Sequence, residues 1–332
     1  MSPQARKKRS DAFPVPAAER TRVPVGAKDF LSILDFSHEE LERVLDLAAE
    51  LKSERVAGAR GAQPLAGRHV ALMFEKPSLR TRTTFTIAIR ELGGEVIEPP
   101  ADVAFGGRET VEDVARNLER WLDGAIVRTF AQDRLARFAK AAPKLHVVNA
   151  LTDEEHPCQA LADMLTLREH LDSLAGSTLT FVGDGNNVAV SLAHAGAMLG
   201  VNVRVASPKG YELPRSAVDA AMAVARHGAT IEVTNDARRA VAGADAIYTD
   251  VWASMGQEDE ADDRARIFAP FQVNDALMAD AGPGALFMHC LPAHRGLEVT
   301  DAVMDSDASV VFDQSENRLH TQKALLALLM AR

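Results

Sequence analysis

Cysteine is scarce: the 332 residues contain two, Cys158 and Cys290. That is no disulfide framework and fits a reducing compartment, so a cytoplasmic location is expected. No apolar run approaches the roughly 18 residues that a membrane-crossing helix needs, so no membrane association is expected. A basic excess is missing too, with 37 Lys and Arg against 47 Asp and Glu and a formal net charge of −10. A general nucleic-acid binder usually carries a basic surface, so nucleic acid is not an expected partner. What is present is the balance of an ordinary globular protein, 47% hydrophobic and 25% charged, at a length that predicts two domains.

Residues 1–28 differ from the rest. They carry Arg6, Lys7, Lys8, Arg9, Arg20, Arg22 and Lys28 against Asp11 and Glu19, a local +5, with four prolines. Without a periodic apolar pattern, a flexible basic tail is the expectation. It has no apolar h-region for a signal peptide, and its acidic residues and prolines disfavour a transit peptide.

Order is expected from near Phe30. Ser37 followed by Glu40 has capping-box spacing, and Leu41, Val44, Leu45, Ala48 and Leu51 recur at helical intervals. Short apolar runs then alternate with amphipathic stretches. The candidate strands are His69–Phe74, Gly124–Arg128, Leu145–Asn149, Leu179–Gly183, Asn202–Ala206, Thr230–Val233, Ala246–Asp250, Leu286–His289 and Ser309–Phe312. Strands separated by helices imply crossovers and parallel sheets. The fold class expected is α/β, with two domains, each a parallel sheet flanked by helices, joined by long helices. Pro157–His170 reads as the interdomain helix, with Pro157 at the first helical position. The domains are expected at 29–155 and 171–315, with a final helix, Glu316–Met330, returning to the first.

Five segments carry candidate chemistry. Phe74–Arg82 runs from a strand through a turn into a helix, a geometry that offers backbone N–H groups and a positive dipole end to an anion. Ser78, Arg80 and Thr81 add the hydroxyl and guanidinium donors a phosphate needs. Arg82 lies about 200° from Arg80 around a helix and is assigned a structural ion pair. The bland alternative is an N-cap followed by a solvated basic face.

In His156-Pro157-Cys158-Gln159, residues three apart at a helix start can face one side. An imidazole could polarise a carbonyl and an amide could read an NH₂ group, although a capping histidine with a surface glutamine explains the same pattern. Gly183-Asp184-Gly185-Asn186-Asn187 invites a dinucleotide reading. The third glycine position is Val188, and the next strand ends in Ser207-Pro208-Lys209 instead of an acidic ribose ligand, so NAD is disfavoured. Paired asparagines suit the carboxylate of a small amphoteric ligand better.

Asp250–Gly256 follows a strand, with a carboxylate for an ammonium and Ser254 for a carboxylate, which together describe an α-amino acid head. In His289-Cys290-Leu291-Pro292-Ala293-His294 the cysteine could be structural, metal-binding or substrate-contacting; the spacing is poor for a closed zinc site. Arg318 opens the final helix as either a surface residue or an anion clamp.

Taken together, these segments resemble the ornithine carbamoyltransferase family from about Asp29 to Met330. Aspartate carbamoyltransferases share the first two motifs but lack the Ser254-Met255-Gly256 and Cys290 pattern. Acetylornithine and putrescine carbamoyltransferases are nearer competitors, disfavoured by the provision for a free amino-acid head. A non-catalytic interaction homologue is the rival from another class.

The resemblance implies a carbamoyl-phosphate domain, an ornithine domain and a homotrimer in which a neighbour's loop completes each site. That loop is expected at about Ala101–Glu109, where Ala104 stands in place of the family's usual Gln, with Arg108 the suggested substitute. It also implies that Ser78, Leu79 (backbone), Arg80, Thr81, Arg128, His156, Gln159, Cys290, Leu291 and Arg318 bind carbamoyl phosphate. Asn187, Asp250, Ser254 and Met255 would bind ornithine, and Arg128, His156, Cys290 and Arg318 would be catalytic. The leaving phosphate can take up a proton, so no metal or organic cofactor is expected. An acidic exterior, −15 over residues 29–332, would then surround a cationic pocket.

Overall fold

The computed structural model describes residues 25–59, 61–100, 107–253 and 258–330. The first long helix, His38–Val56, starts where Ser37 Oγ accepts the Glu40 amide at 3.2 Å and Glu40 Oε2 accepts the Ser37 amide at 2.8 Å. Packing begins earlier than expected. Val25 is buried and donates its N–H to the Leu328 carbonyl, and Lys28 Nζ binds the carbonyls of Ala139, Ala142 and Leu145 at 3.3, 3.1 and 2.9 Å. The ammonium binds carbonyls at and beyond the end of helix Gln132–Ala141, which anchors residues assigned to the tail. The remainder of that tail lies outside the described residues.

Nine strands form two sheets among the described residues. β1 (His69–Phe74), β2 (Glu95–Ile97), β3 (Gly124–Arg128) and β4 (His146–Leu151) make a four-stranded sheet in the order β2-β1-β3-β4. β5 (Thr178–Val182), β6 (Asn202–Ala206), β7 (Ile231–Thr234), β8 (Ala246–Thr249) and β9 (Leu286–His289) make a five-stranded sheet in the order β7-β6-β5-β8-β9. Every pairing is parallel. The central strands β1, β3 and β5 are apolar and almost wholly buried, as expected for strands covered on both faces.

One expected strand needs correction and one strand is added. β2 was not anticipated; three residues after Gly93-Gly94 are too few to show a period. Ser309–Phe312 is not a strand. Ser309 makes a single bridge with Phe287, and Val311 already begins the final helix, Val311–Met330. A short apolar run does not distinguish a buried strand from a helix start, and here the helix takes it.

The helix Pro157–His170 is buried from Pro157 to Leu167. It packs against helix Asn187–Leu199 on one side and against the final helix on the other. The final helix also lies on His38–Val56 and on Leu79–Glu91, so the last segment of chain closes the core begun by the first. In the first sheet the strand order reverses between β1 and β3, and in the second between β5 and β8. In such sheets ligands gather beyond the carboxyl ends of strands at these reversals.

Candidate active site

The described motifs sit at those carboxyl ends or on helices packed against them. After β1, Glu75 binds Thr129 and Arg134, and Lys76 Nζ binds Asp153 Oδ1 at 2.5 Å, so the first half of the motif is structural. Ser78 then caps helix Leu79–Glu91, its Oγ accepting the Thr81 amide at 3.3 Å. Leu79 turns its side chain outward, 78% exposed, leaving only its backbone to the site. Arg82 pairs with Glu98 and lies over the Phe74 ring, the structural role expected of it.

Thr81 is buried, and its Oγ1 accepts from Arg318 Nη2 at 2.7 Å. Arg318 Nη1 donates to Gln159 Oε1 at 2.9 Å. The surface reading of Arg318 and of Gln159 is therefore excluded, since both side chains are buried and bonded to each other. His156 makes no side-chain cap; its backbone N–H donates to Ser191 Oγ at 2.9 Å, and its Nδ1 is buried without a hydrogen-bond partner.

Three guanidiniums converge here with little to neutralise them. Arg318 is bonded to neutral groups, Arg128 at the end of β3 is buried with its Nε unpartnered, and half-buried Arg80 feels Cys290 and Asp250 from across the cleft. Burial, then the charges of Arg318 and Arg80, pull the Arg128 guanidinium down to about 10. The same burial and the neighbouring Arg318 and Arg128 hold His156 well below its ordinary value, so its imidazole is neutral. A group of cations that destabilise one another is set up to receive an anion.

Across the cleft, Asp250 follows β8. Its Oδ1 accepts from the Val251 N–H at 2.8 Å and from Cys290 Sγ at 2.9 Å, and its Oδ2 accepts from Asn186 Nδ2 at 2.8 Å. Asn186 also caps the next helix through Oδ1. Asn187 Nδ2 reaches across to the Thr152 carbonyl at 2.5 Å, tying the second sheet's loop to the first sheet's. Gly185 leaves no room for a side chain: a Cβ there would stand 2.4 Å from the Leu213 backbone nitrogen. This glycine thus serves the packing of its own chain. Ser254, Met255 and Ala104 lie outside the described residues, while Arg108 is described and exposed.

The two cysteines differ. Cys158 is buried, donates to the Asn149 carbonyl at 3.3 Å and is pushed up by burial to about 12, which makes it structural. Cys290 is partly buried, and burial followed by the charge of Asp250 raises its thiol well above the usual range. Leu291 has a φ of +60°, and its N–H donates to His289 Nδ1 at 2.9 Å. That leaves His289 Nε2 to carry the proton and donate to buried Glu298 Oε1 at 3.2 Å. Asp250, His289 and Cys290 bring potential metal-ligating atoms within 4.8 Å of one another, but these atoms are already bonded to protein groups.

Asp163, Gln314 and Tyr248 were not anticipated. Asp163 is fully buried one helical turn after Gln159, and burial raises its carboxyl to about 7 against the hydrogen bonds that favour its ionised form. An aspartate inside an otherwise apolar helix stretch, Ala160–Leu165, is the available signal.

Comparison with known proteins gives a consistent answer. Residues 28–169 match the carbamoyl-phosphate-binding domain of aspartate/ornithine carbamoyltransferases, and residues 175–329 match the Asp/Orn-binding domain. A Parafrankia protein named ornithine carbamoyltransferase is 51% identical over 306 residues, covering 92% of this chain and 96% of that one. One of the same name from Parasynechococcus marenigrum is 52% identical over 308 residues, covering 92% and 95%. The solved ornithine carbamoyltransferase of Pyrococcus furiosus is 46% identical with a TM-score of 0.89, covering 93% of this chain and 99% of its own. The chain belongs to the aspartate/ornithine carbamoyltransferase family.

Proposed function

We propose that this protein transfers the carbamoyl group of carbamoyl phosphate to the δ-amine of L-ornithine, giving L-citrulline and phosphate. The observation that carries the reading is the convergence of buried Arg128, buried Arg318 bonded to the neutral Gln159 and Thr81, and half-buried Arg80, with the hydrogen-bonded Asp250–Cys290 pair opposite. A cationic pocket beside an acidic one is what a phosphate donor and an ammonium-bearing acceptor need.

In this mechanism Ser78, the Leu79 backbone, Arg80, Thr81 and Arg128 hold the phosphate. Thr81, Arg128 and His156 polarise the carbonyl oxygen and stabilise the oxyanion that develops as the amine attacks. A neutral His156 can donate one N–H without adding a further cation to the cluster. Gln159, Arg318 and the backbone at Cys290-Leu291 orient the carbamoyl NH₂. The C–N bond forms as the C–O bond to phosphate breaks, and the amine proton leaves with the phosphate.

The amino-acid head falls to Asn187, Asp250, Ser254 and Met255. A carboxylate offers about four lone-pair sites. Three of those on Asp250 are taken by Val251, Cys290 and Asn186, which leaves one on Oδ2 for the α-ammonium. Cys290 lies beside the δ-amine.

The same reading places the enzyme in arginine metabolism in the cytoplasm. It makes 29–155 with the final helix the carbamoyl-phosphate domain and 171–315 the ornithine domain. It also makes the assembly a homotrimer whose 101–109 loop reaches a neighbour's site. No helix among the described residues is long and apolar enough to cross a membrane.

A citrulline-formation assay with purified protein tests the activity, with aspartate, acetylornithine and putrescine as competing acceptors. Turnover preferring ornithine by at least tenfold is expected. Preference for another acceptor, or no turnover with any of them, defeats the reading. Sedimentation equilibrium tests the trimer.

A further inference from the structure

One carboxylate oxygen lies between the two halves of the site. Asp163 Oδ1 accepts from Gln159 Nε2 at 2.8 Å and from Gln314 Nε2 at 2.7 Å. The Gln314 amide also reaches the Tyr248 hydroxyl on β8 at 3.1 Å, while Asp163 Oδ2 is buried without a hydrogen-bond partner among the described residues. Asp163, Gln159 and Gln314 are all buried, away from bulk solvent.

A primary amide has one accepting and one donating end, and its neighbours decide which way it points. Gln159 lies between a donor-only guanidinium, Arg318, and the accepting oxygen of Asp163. Its Oε1 must therefore face Arg318, where a lone pair is left for an NH₂ group. Gln314 is held the same way. Its Nε2 goes to Asp163, so its Oε1 turns to the His289 N–H, accepting at 2.9 Å. His289 precedes Cys290 and, through Nδ1, receives the Leu291 N–H.

We propose that Asp163 is a positioning residue for carbamoyl transfer. Its carboxylate fixes the Gln159 carbonyl toward the carbamoyl amide and, through Gln314, fixes the turn that carries Cys290 and Leu291. The carbamoyl-phosphate half and the amine half of the site thus share one buried anchor. This rests on the carbamoyl-transfer reading above.

The test compares Asp163→Ala, Asp163→Asn, Gln159→Ala, Gln314→Leu and the double variant Asp163→Ala/Gln159→Ala. Each is assayed for citrulline formation, for carbamoyl phosphate binding by calorimetry and for melting temperature. At about pH 8.5, where a carboxyl raised to about 7 is ionised, Asp163→Ala is expected to lower kcat/KM for both substrates by about 10- to 100-fold, the scale of a hydrogen bond to a charged group. Asparagine keeps an accepting oxygen in the same place and should recover most of that loss. Gln314→Leu loosens the turn that places Cys290 beside the amine and the Cys290-Leu291 backbone beside the carbamoyl group, so it should lower kcat/KM for ornithine and weaken carbamoyl phosphate binding, each by about threefold or more. In the double variant, removing Asp163 should weaken carbamoyl phosphate binding less than threefold beyond Gln159→Ala, because the two act in series.

Fully multiplicative losses, or asparagine as damaging as alanine in folded protein, would overturn the proposal. If Asp163→Ala does not fold, Gln314→Leu decides: unchanged kinetics with ornithine would sink the shared anchor. A wild type that makes no citrulline defeats the function instead, while the calorimetric coupling of Asp163 to Gln159 still reads the anchor independently.

Discussion

Cys290 Sγ donates to Asp250 Oδ1 at 2.9 Å, joining the chain just beyond β9 to that just beyond β8. The carboxylate holds the thiol in its protonated form, since burial and the adjacent negative charge both oppose a thiolate. An ordinary cysteine with a pKa near 8.5 is about one-tenth thiolate at pH 7.5. Cys290 is therefore expected to react with iodoacetamide at least about tenfold more slowly than a free thiol, and faster in Asp250→Asn. Peptide mass mapping separates it from Cys158. Alkylation of Cys290 at the free-thiol rate would contradict the assignment.

Arg80 is half-buried at the mouth of the cationic group. Replacing it with alanine should weaken carbamoyl phosphate binding by at least about tenfold, from the loss of one or more charge-assisted hydrogen bonds. The circular dichroism spectrum should not change. Near-normal affinity by calorimetry would remove Arg80 from the phosphate site.

Arg318 bonds two partners at once with the two arms of its guanidinium, Gln159 and Thr81. Lysine keeps a positive charge but not the planar fork. Arg318→Lys should lower kcat by about 10²–10³, comparable to deleting an oxyanion donor. A loss below fivefold would show that charge alone suffices there.

The attacking amine dominates the expected pH dependence. With a lysine-like pKa near 10.4 it is about 3.4 units from neutrality at pH 7, a cost of roughly 4.6 kcal/mol. His156, pulled well below 6.5, stays neutral above pH 7 and opposes no part of the rise. With ornithine subsaturating and chemistry limiting, activity should climb from pH 6 to 9. A flat profile over that range would count against attack by the free amine.

Much of the fold was readable because parallel strands buried on both faces are continuous apolar runs. β1, β3, β6 and β9 fall on their expected residues. Short elements lacked that signal, as with β2, and Val311-Phe312 carried apolar side chains into a helix. The site's outline was legible in Ser78–Thr81, His156–Gln159 and Asp250, whose spacings place them at strand ends and helix starts. The pairings between distant segments were not. Nothing local links Thr81 to Arg318 or Asp163 to Gln314, because those contacts exist only after two sheets and a closing helix have assembled. Likewise, the two cysteines look alike in sequence, and only Asn149 beside one and Asp250 beside the other separate them.

The final helix has a consequence for how the protein is made. Arg318 binds Thr81 from 237 positions later in the chain. At about 5–20 residues per second, a ribosome needs roughly 12–50 s to travel between them. Throughout that interval the emerging chain carries Thr81 without the guanidinium that binds it. The apolar faces of helices His38–Val56 and Pro157–His170 that later meet the final helix also stay uncovered. The nascent polypeptide thus exposes apolar surface until its final helix has emerged, the stage at which a chaperone would be most useful.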